Sequence, residues 1–384
     1  MKLGILLFLL SIFLFGQSVT YEYELNSVND SLLILNSIDG DIIIHGSDQN
    51  IVRIVQKIKS DFEEKKLNRG ELFSDGKKLE FVEQPGISFK VEKTYDIVVP
   101  NHININLDLL GGTLEIKQIT GSVKVEKISG MINASDIKGN TYLSTGNGNL
   151  TFDNIQGDIY GSVLNGNAVT ESTNGSLKLE SGSGDLFVTE HRGSLEIKTF
   201  AGNCHLQNTS GDSIKAVTRG GDISVRSIST VEGIFNTMAG DIMLDNIDGN
   251  IFSETYGGVI SGSNWTGDFK LQNYSGSISA NDIRGILTIN SFYGNVEINR
   301  FSPDDNIGDT SLIKIVSGDL YMTYTGDYVG LDLKTQGGSI SSNVVKTAGK
   351  SSNMGIYHPE MESNKINIIL FNGSIVINKG DVND

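Results

Sequence analysis

From Gly112 a glycine returns every ninth residue, through Gly121, Gly130 and Gly139 and on to Gly220. After a slip of two residues the beat resumes at Gly240 and runs to Gly294. A short fixed period kept up for so long is the mark of a repeat architecture, in which no unit folds alone and each is stabilised by its neighbours. Within a unit, counting glycine as position 1, apolar residues occupy positions 3, 5 and 8. Examples are Val123, Val125 and Ile128; Leu150, Phe152 and Ile155; Leu195, Ile197 and Phe200; Ile242, Leu244 and Ile247; and Val296, Ile298 and Phe301. Positions 3 and 5 share one face of a short strand, and positions 4 and 6, mostly polar, face outward. An amphipathic helix would need apolar residues at steps of three and four, and each interior glycine would cost it about 1 kcal/mol.

The expected fold is therefore all-β: a single-stranded β-solenoid, like a parallel β-helix, built from nonapeptide strand-turn units. Position 8 sets the expected coil length. Tyr256, Tyr274 and Phe292 lie eighteen residues apart, as do Ile119, Ile137 and Ile155, which favours an eighteen-residue coil of two strands. A three-sided coil would instead repeat every twenty-seven. The slip between Gly220 and Gly240 reads as a bulge or an enlarged corner.

The expected organisation is a signal peptide at 1–18, an N-terminal β cap at 19–110, the solenoid at 111–302 and a C-terminal β cap at 303–384. In the leader, Lys2 precedes an apolar run from Leu3 to Phe15, followed by small or polar residues, with cleavage expected after Gly16 or Ser18. That run is short for a membrane span, and no second long apolar segment follows, so the mature chain is expected to be exported without a transmembrane anchor. Both caps alternate apolar and polar residues without the strict beat, as terminal repeats do. In the N-terminal cap a charged, loop-like excursion, SDFEEKKLNRGELFSDGKK, interrupts the pattern.

The opening IDGDIIIHG, a strand ending YDIVVP at Pro100, the long glycine array and the closing KTQGGSISSNV and NGSIVIN resemble the bacterial putative-adhesin family with a toastrack-type β-solenoid. The resemblance covers nearly all of the mature chain. It implies an exported or envelope-associated protein and carries no catalytic residues across.

The formal charge of −16, with 30 Lys+Arg against 46 Asp+Glu and no basic block, sets nucleic acid aside as a partner. A calcium-binding nonapeptide array would need GGxGxDxUx, which GSGD at 182–185 and GGD at 220–222 only graze. Asp158, Asp185, Asp212, Asp222, Asp241 and Asp268 read instead as turn residues, so no metal or cofactor is expected.

Polysaccharide lyases and hydrolases gather carboxylates and bases on one outer face of a β-helix. Here Asp241, Asp245 and Asp248, and Asp304 with Asp305, have no evident partner. His191 falls on the usually apolar position 8 and is expected in the core, His205 faces outward alone, and Cys204, the single cysteine, is expected to be buried at position 3.

Tyr142 and Tyr160 both occupy outward position 4, eighteen residues apart, and are the candidate ligand contacts, for a glycan or a surface protein. The competing reading is an ordinary cross-strand pair whose rings cover one another. The expected function is an adhesin-like scaffold or binding module at the cell envelope, extracellular, surface-bound or periplasmic. The alternative is a polysaccharide-active β-helix enzyme.

Overall fold

The computed structural model describes residues 17–26, 31–60, 67, 69–83, 91–303, 309–325, 329–344, 354–357 and 364–380, so most of the leader lies outside the described residues, as do Asp304 and Asp305. The described chain is all-β and divides into two compact units, Met1–Gly184 and Asp185–Asp384.

In the first unit each coil adds one strand to each of two stacks. One stack holds Asn104–Leu109, Val123–Ser129, Thr141–Asn147, Ile159–Asn165 and Leu177–Ser183, all parallel. The other holds Leu114–Ile119, Ile132–Lys138, Leu150–Gln156 and Ala168–Asn174. Val123 pairs with Thr141 and Thr141 with Ile159, so the coil is eighteen residues long and has two strands.

Glycine is required where coils meet at the turn. Gly148 has φ +143°, and a Cβ there would lie 2.2 Å from the carbonyl oxygen of Gly130 in the coil beneath. Beside it, position 2 ties coil to coil: Asn140 Oδ1 accepts the Asp158 N–H at 3.1 Å, and Asp158 Oδ1 accepts that of Ser176 at 3.2 Å. Asp185, Asp222 and Asp241 do the same in the second unit, accepting from Asn203, Asp241 and Val259 at 2.7–2.8 Å. These carboxylates are turn residues that spread the hydrogen bonding of one coil into the next.

The two stacks are not alike, and the expected inward position 8 holds in only one of them. In the second stack, position 7 adopts a left-handed φ, at Gln118, Asp136, Asn154 and Ser172 among others, which turns position 8 inward. Asn and Asp tolerate this conformation because a short polar side chain can bond locally. The first stack has no such kink, so strict alternation buries position 7 and sends position 8 out. Ile155 is buried, whereas Ile128 is 62% exposed, and Phe200, Tyr256 and Phe292 are exposed too.

The buried position 7 of the straight stack is mostly polar, Val163 being an exception, and its threonines bond across coils. Thr218, Thr237 and Thr255 donate to the carbonyls of Gly202, Gly221 and Gly240 at 2.8–2.9 Å. Lys127 takes this place once, its Nζ donating to the carbonyls of Gly112 and Met131. Burial holds that ammonium down to about 8, against a smaller upward pull from Asp41 and Asp39. Apolar side chains fill most of the rest of the interior. Phe152 occupies the space over Gly161, where a Cβ would lie 3.0 Å from its ring.

Antiparallel strands close the start of the first unit. Leu32–Ile38 lies between Lys78–Glu83 and Asn104–Leu109, and Asp41–Ser47 between Val91–Pro100 and Leu114–Ile119. Ile51–Ser60 then packs antiparallel on Val91–Pro100, and Gln17–Asn26 on Ile51–Ser60. The charged excursion is only partly a loop: Gly70–Ser74 forms a hairpin with Lys78–Glu83. Asp75 closes its turn, accepting the N–H groups of Lys77 and Lys78 at 2.9 Å, and these bonds lower its carboxyl below the ordinary value.

In the second unit Cys204 pairs with Ile223 and Ile223 with Ile242, nineteen residues on, before Ile242 returns to eighteen with Ile260. The slip is therefore one extra residue in each of two stacked coils, placed where the first strand of the coil passes into the second. One extra residue lies between Ser210 and Ile214, upstream of the expected place, and the other is Val231. The glycine beat continues through Gly221, whose Cβ would meet Gly202 O at 2.0 Å, rather than through Gly220. At the far end the chain doubles back. Asn364–Asn372 is inserted between Thr310–Ser317 and Val329–Thr335, and Ile375–Lys379 between Leu320–Tyr324 and Ile340–Ser342, all parallel.

Candidate functional site

On the straight stack of the first unit, position 4 of four successive coils carries Lys124, Tyr142, Tyr160 and Lys178 in register. The two tyrosine rings stack at 4.9 Å between centroids, tilted by only 12°. Lys124 Nζ caps the column 5.8 Å from the Tyr142 ring, and Lys178 Nζ caps the other end 5.6 Å from Tyr160. Cation and aromatic face attract one another here. Position 6 supplies the counter-charges: Lys124 pairs with Glu126 at 2.8 Å and Lys178 with Glu180 at 2.9 Å. Tyr160 donates its hydroxyl to Glu180 at 3.0 Å, and burial, then Glu180, raises its phenol above the ordinary range. The hydroxyl therefore stays a donor at neutral pH.

These tyrosines line a groove of about 540 Å³ that runs across the coils. Its opposite wall is the position-2 column of Asn104, Ser122, Asn140, Asp158 and Ser176, all exposed. The structure thus brings the two sequence-selected tyrosines together on one face, with ring faces covered by each other and by the lysines. What reaches the groove is ring edge and hydroxyl.

A second outward aromatic column stands on the second unit, where the sequence reading placed inward residues. Tyr256, Tyr274 and Phe292 stack at 4.3 and 4.8 Å, within 3° of parallel. The nearby Glu254 and Tyr274 raise the Tyr256 phenol. Tyr256 is 46% exposed and Phe292 40%. The signal for this column was present in the sequence. Position 7 is more often Asn or Asp in the kinked stack, as at Asn246 and Asp282, and more often Thr or Ser in the straight one, as at Thr255 and Ser291, although Ser172, Ser227 and Asn273 break the rule.

The remaining candidates assemble no reactive group. Asp241 is a turn acceptor, Asp245 accepts the Ser263 hydroxyl at 3.0 Å, and Asp248 lies farther along the strand that carries Asp245. His191 is buried, one ring nitrogen 3.4 Å from the Ser194 carbonyl oxygen. His205 is not alone, because its ring stacks on Phe187 at 4.7 Å. Cys204 is buried and free, and burial pushes its thiol up to about 12, far from the thiolate a nucleophile needs. The most convergent charged cluster lies at the start of the first unit. There Glu83 pairs with Lys93 at 2.7 Å and accepts from Gln56 at 3.0 Å and from Tyr95. These groups satisfy one another and join Lys78–Glu83 to the antiparallel strands. Among the described residues no three His, Cys, Asp or Glu side chains gather in a metal-holding arrangement, and no helix is long and apolar enough to cross a membrane.

Comparison with curated proteins finds no match. Among solved structures, the chain is similar to a "putative cell adhesion protein" from Clostridium sporogenes, at 11% identity and a TM-score of 0.20, covering 95% of this chain and all of that one. It is also similar to a "putative adhesin" from Parabacteroides merdae, at 11% identity and a TM-score of 0.21, covering 80% of this chain and 96% of the other. A family model described as Toastrack DUF4097 matches residues 30–245 and again 169–378, which together take in both solenoid units. Eighteen-residue β coils and a family match over most of its length place the chain in one family: it belongs to Toastrack DUF4097.

Proposed function

We propose that the protein is an exported, non-catalytic β-solenoid that works at the cell envelope as an adhesin-like scaffold or binding module. Tyr142 and Tyr160 would contact its ligand, a glycan or a surface protein. The observation that carries this reading is the groove of the first unit: a stacked tyrosine column faces a wall of polar turn residues across successive coils. Clefts of this size, with a few fixed polar groups, suit ligand binding.

The alternative, a polysaccharide-active enzyme, requires a raised general acid near a second carboxylate. Of the carboxylates near the tyrosines, Asp158 lines the groove, and Glu126 and Glu180 outside its lining are paired to lysines. Export rests on the leader, and cleavage after Gly16 would leave Gln17–Asn26 whole against Ile51–Ser60.

The test is binding of the labelled full chain to intact cells and surface extracts, with wild type compared to a Tyr142→Ala/Tyr160→Ala variant. Saturable binding that the variant loses, with no shortening of any polysaccharide present, is the expected result. Release of new reducing ends would overturn the reading, as would equal binding by the variant.

A further inference from the structure

Six successive coils line the groove of the first unit, from Leu32 through the strands beginning at Asn104, Val123, Thr141 and Ile159 to Ser176. At about 4.8 Å per coil this is a trough about 24 Å long, parallel to the stacking direction. Five of the six coils present a polar residue at the same height on one side, Leu32 taking that place in the first. These are Asn104, Ser122, Asn140, Asp158 and Ser176. In Asn104, Asn140 and Asp158 one oxygen is fixed by the N–H of the next coil, which orients the remaining polar atom. On the other side, in three of the middle coils, stand Lys124 and the edges and hydroxyls of Tyr142 and Tyr160.

A surface that repeats a hydrogen-bonding set once per coil recognises a polymer whose own repeat advances by one coil. An extended peptide fails this match, since it advances about 3.3 Å per residue and presents like side chains every two residues, about 6.6 Å apart. An extended chain of pyranose rings advances by roughly the coil spacing per ring, and although β-1,4-linked rings alternate in orientation, every ring offers hydroxyls to both walls. Charge narrows the class further. Lys124 and Lys178 are neutralised by Glu126 and Glu180, Asp158 adds a negative charge, and the whole chain stands at −16, so a polyanion is repelled. Because the tyrosine faces are occupied, recognition runs through hydroxyls and ring edges rather than through a sugar stacked on an open aromatic face.

We propose that this groove binds a linear, uncharged glycan laid along the stacking direction, one sugar ring to each coil. The proposal rests on the reading of the protein as a non-catalytic binding module and names the ligand class of its groove.

Calorimetric titration of the full chain with cello-, chito- and manno-oligosaccharides of two to eight rings tests it, with heparin as the polyanion. For at least one series, affinity is expected to rise about threefold to tenfold per ring, the worth of roughly one hydrogen bond, and to level off near six rings. Tyr142→Phe/Tyr160→Phe keeps the stack and removes the hydroxyls. It should weaken the six-ring ligand about tenfold or more while leaving the circular dichroism unchanged. Asn140→Ala should do likewise from the opposite wall. Affinity independent of length, binding of heparin alone, or full binding by both variants would overturn the proposal. Oligosaccharides that fail to bind while cells are still bound would sink this inference and leave the binding module standing. Oligosaccharides shortened during the titration would sink the binding module itself.

Discussion

The stacked glycines give the sharpest test of how the coils hold together. Gly166 has φ +145°, and a Cβ there would lie 1.9 Å from the carbonyl oxygen of Gly148 in the coil beneath. Gly166→Ala therefore incurs two costs. The backbone conformation alone is worth about 1–3 kcal/mol for a residue with a side chain. The overlap with Gly148 forces neighbouring coils apart, which strains the bonds from Gly166 N to Ser183 O at 2.9 Å and from Gly148 N to Asn165 O at 3.0 Å. Together they put the substitution at about 4–5 kcal/mol or beyond, in the tail of single-residue effects. Two other glycines separate the terms. Gly76, in the hairpin turn, has φ +81° but nothing within 4 Å, so Gly76→Ala carries only the conformational cost, about 1–2 kcal/mol. Gly220 lies outside the left-handed region, with its nearest neighbour atom at 3.8 Å, and Gly220→Ala should be neutral or stabilising by up to about 1 kcal/mol. Guanidinium unfolding followed by far-UV circular dichroism reads all three. The reasoning fails if Gly166→Ala lowers the midpoint no more than Gly76→Ala does.

Three further outcomes follow from the interior. Thr255→Val removes the 2.9 Å bond to the Gly240 carbonyl and should cost about 1–2 kcal/mol by chemical denaturation. Thr170→Val removes a buried hydroxyl that has no hydrogen-bond partner and should leave stability unchanged or raise it by about 1 kcal/mol. At Asn154, φ 51° predicts that Asn154→Val costs about 1–2 kcal/mol while Asn154→Gly costs little, as thermal melts of the two variants would show. Lys127 sets a pH dependence. Its folded value of about 8 lies below the unfolded value of 10.5, so the unfolded chain binds the extra proton between the two, and the cost of burying the ammonium fades as pH rises through that window. Lys127→Thr should therefore stabilise the protein at pH 7, and its advantage over wild type should shrink towards pH 10. A constant advantage across that range would refute the assignment.

How much of this was legible follows from what repeats. The coil, its eighteen residues and its two strands are written in the glycine beat and in the alternation at positions 3 and 5, because each unit imposes the same local demands on its neighbours. Tyr142 and Tyr160 were legible for the same reason: a straight strand with a fixed coil length puts like positions above one another. Position 8 escaped because one left-handed residue per coil reverses which side chains face inward. Period alone cannot distinguish a kinked strand from a straight one, and the bias of position 7 towards Asn and Asp in one stack and Thr and Ser in the other records the difference only in part. The hairpin at Gly70–Ser74 escaped because a charged, aperiodic stretch gives no sign of its pairing partner.

The sequence by itself thus determined the unit, the coil and most of the residues that had to be glycine, Gly221 rather than Gly220 being the exception at the slip, since these depend on contacts that recur at every turn. Only the tertiary structure decided which stack carries the kink, that the tyrosine faces are spent on one another and on two lysines, and that the last coil inserts between two earlier ones. Those outcomes depend on pairings between segments far apart in the chain, whose partners are chosen by edge geometry and core volume rather than by any local pattern.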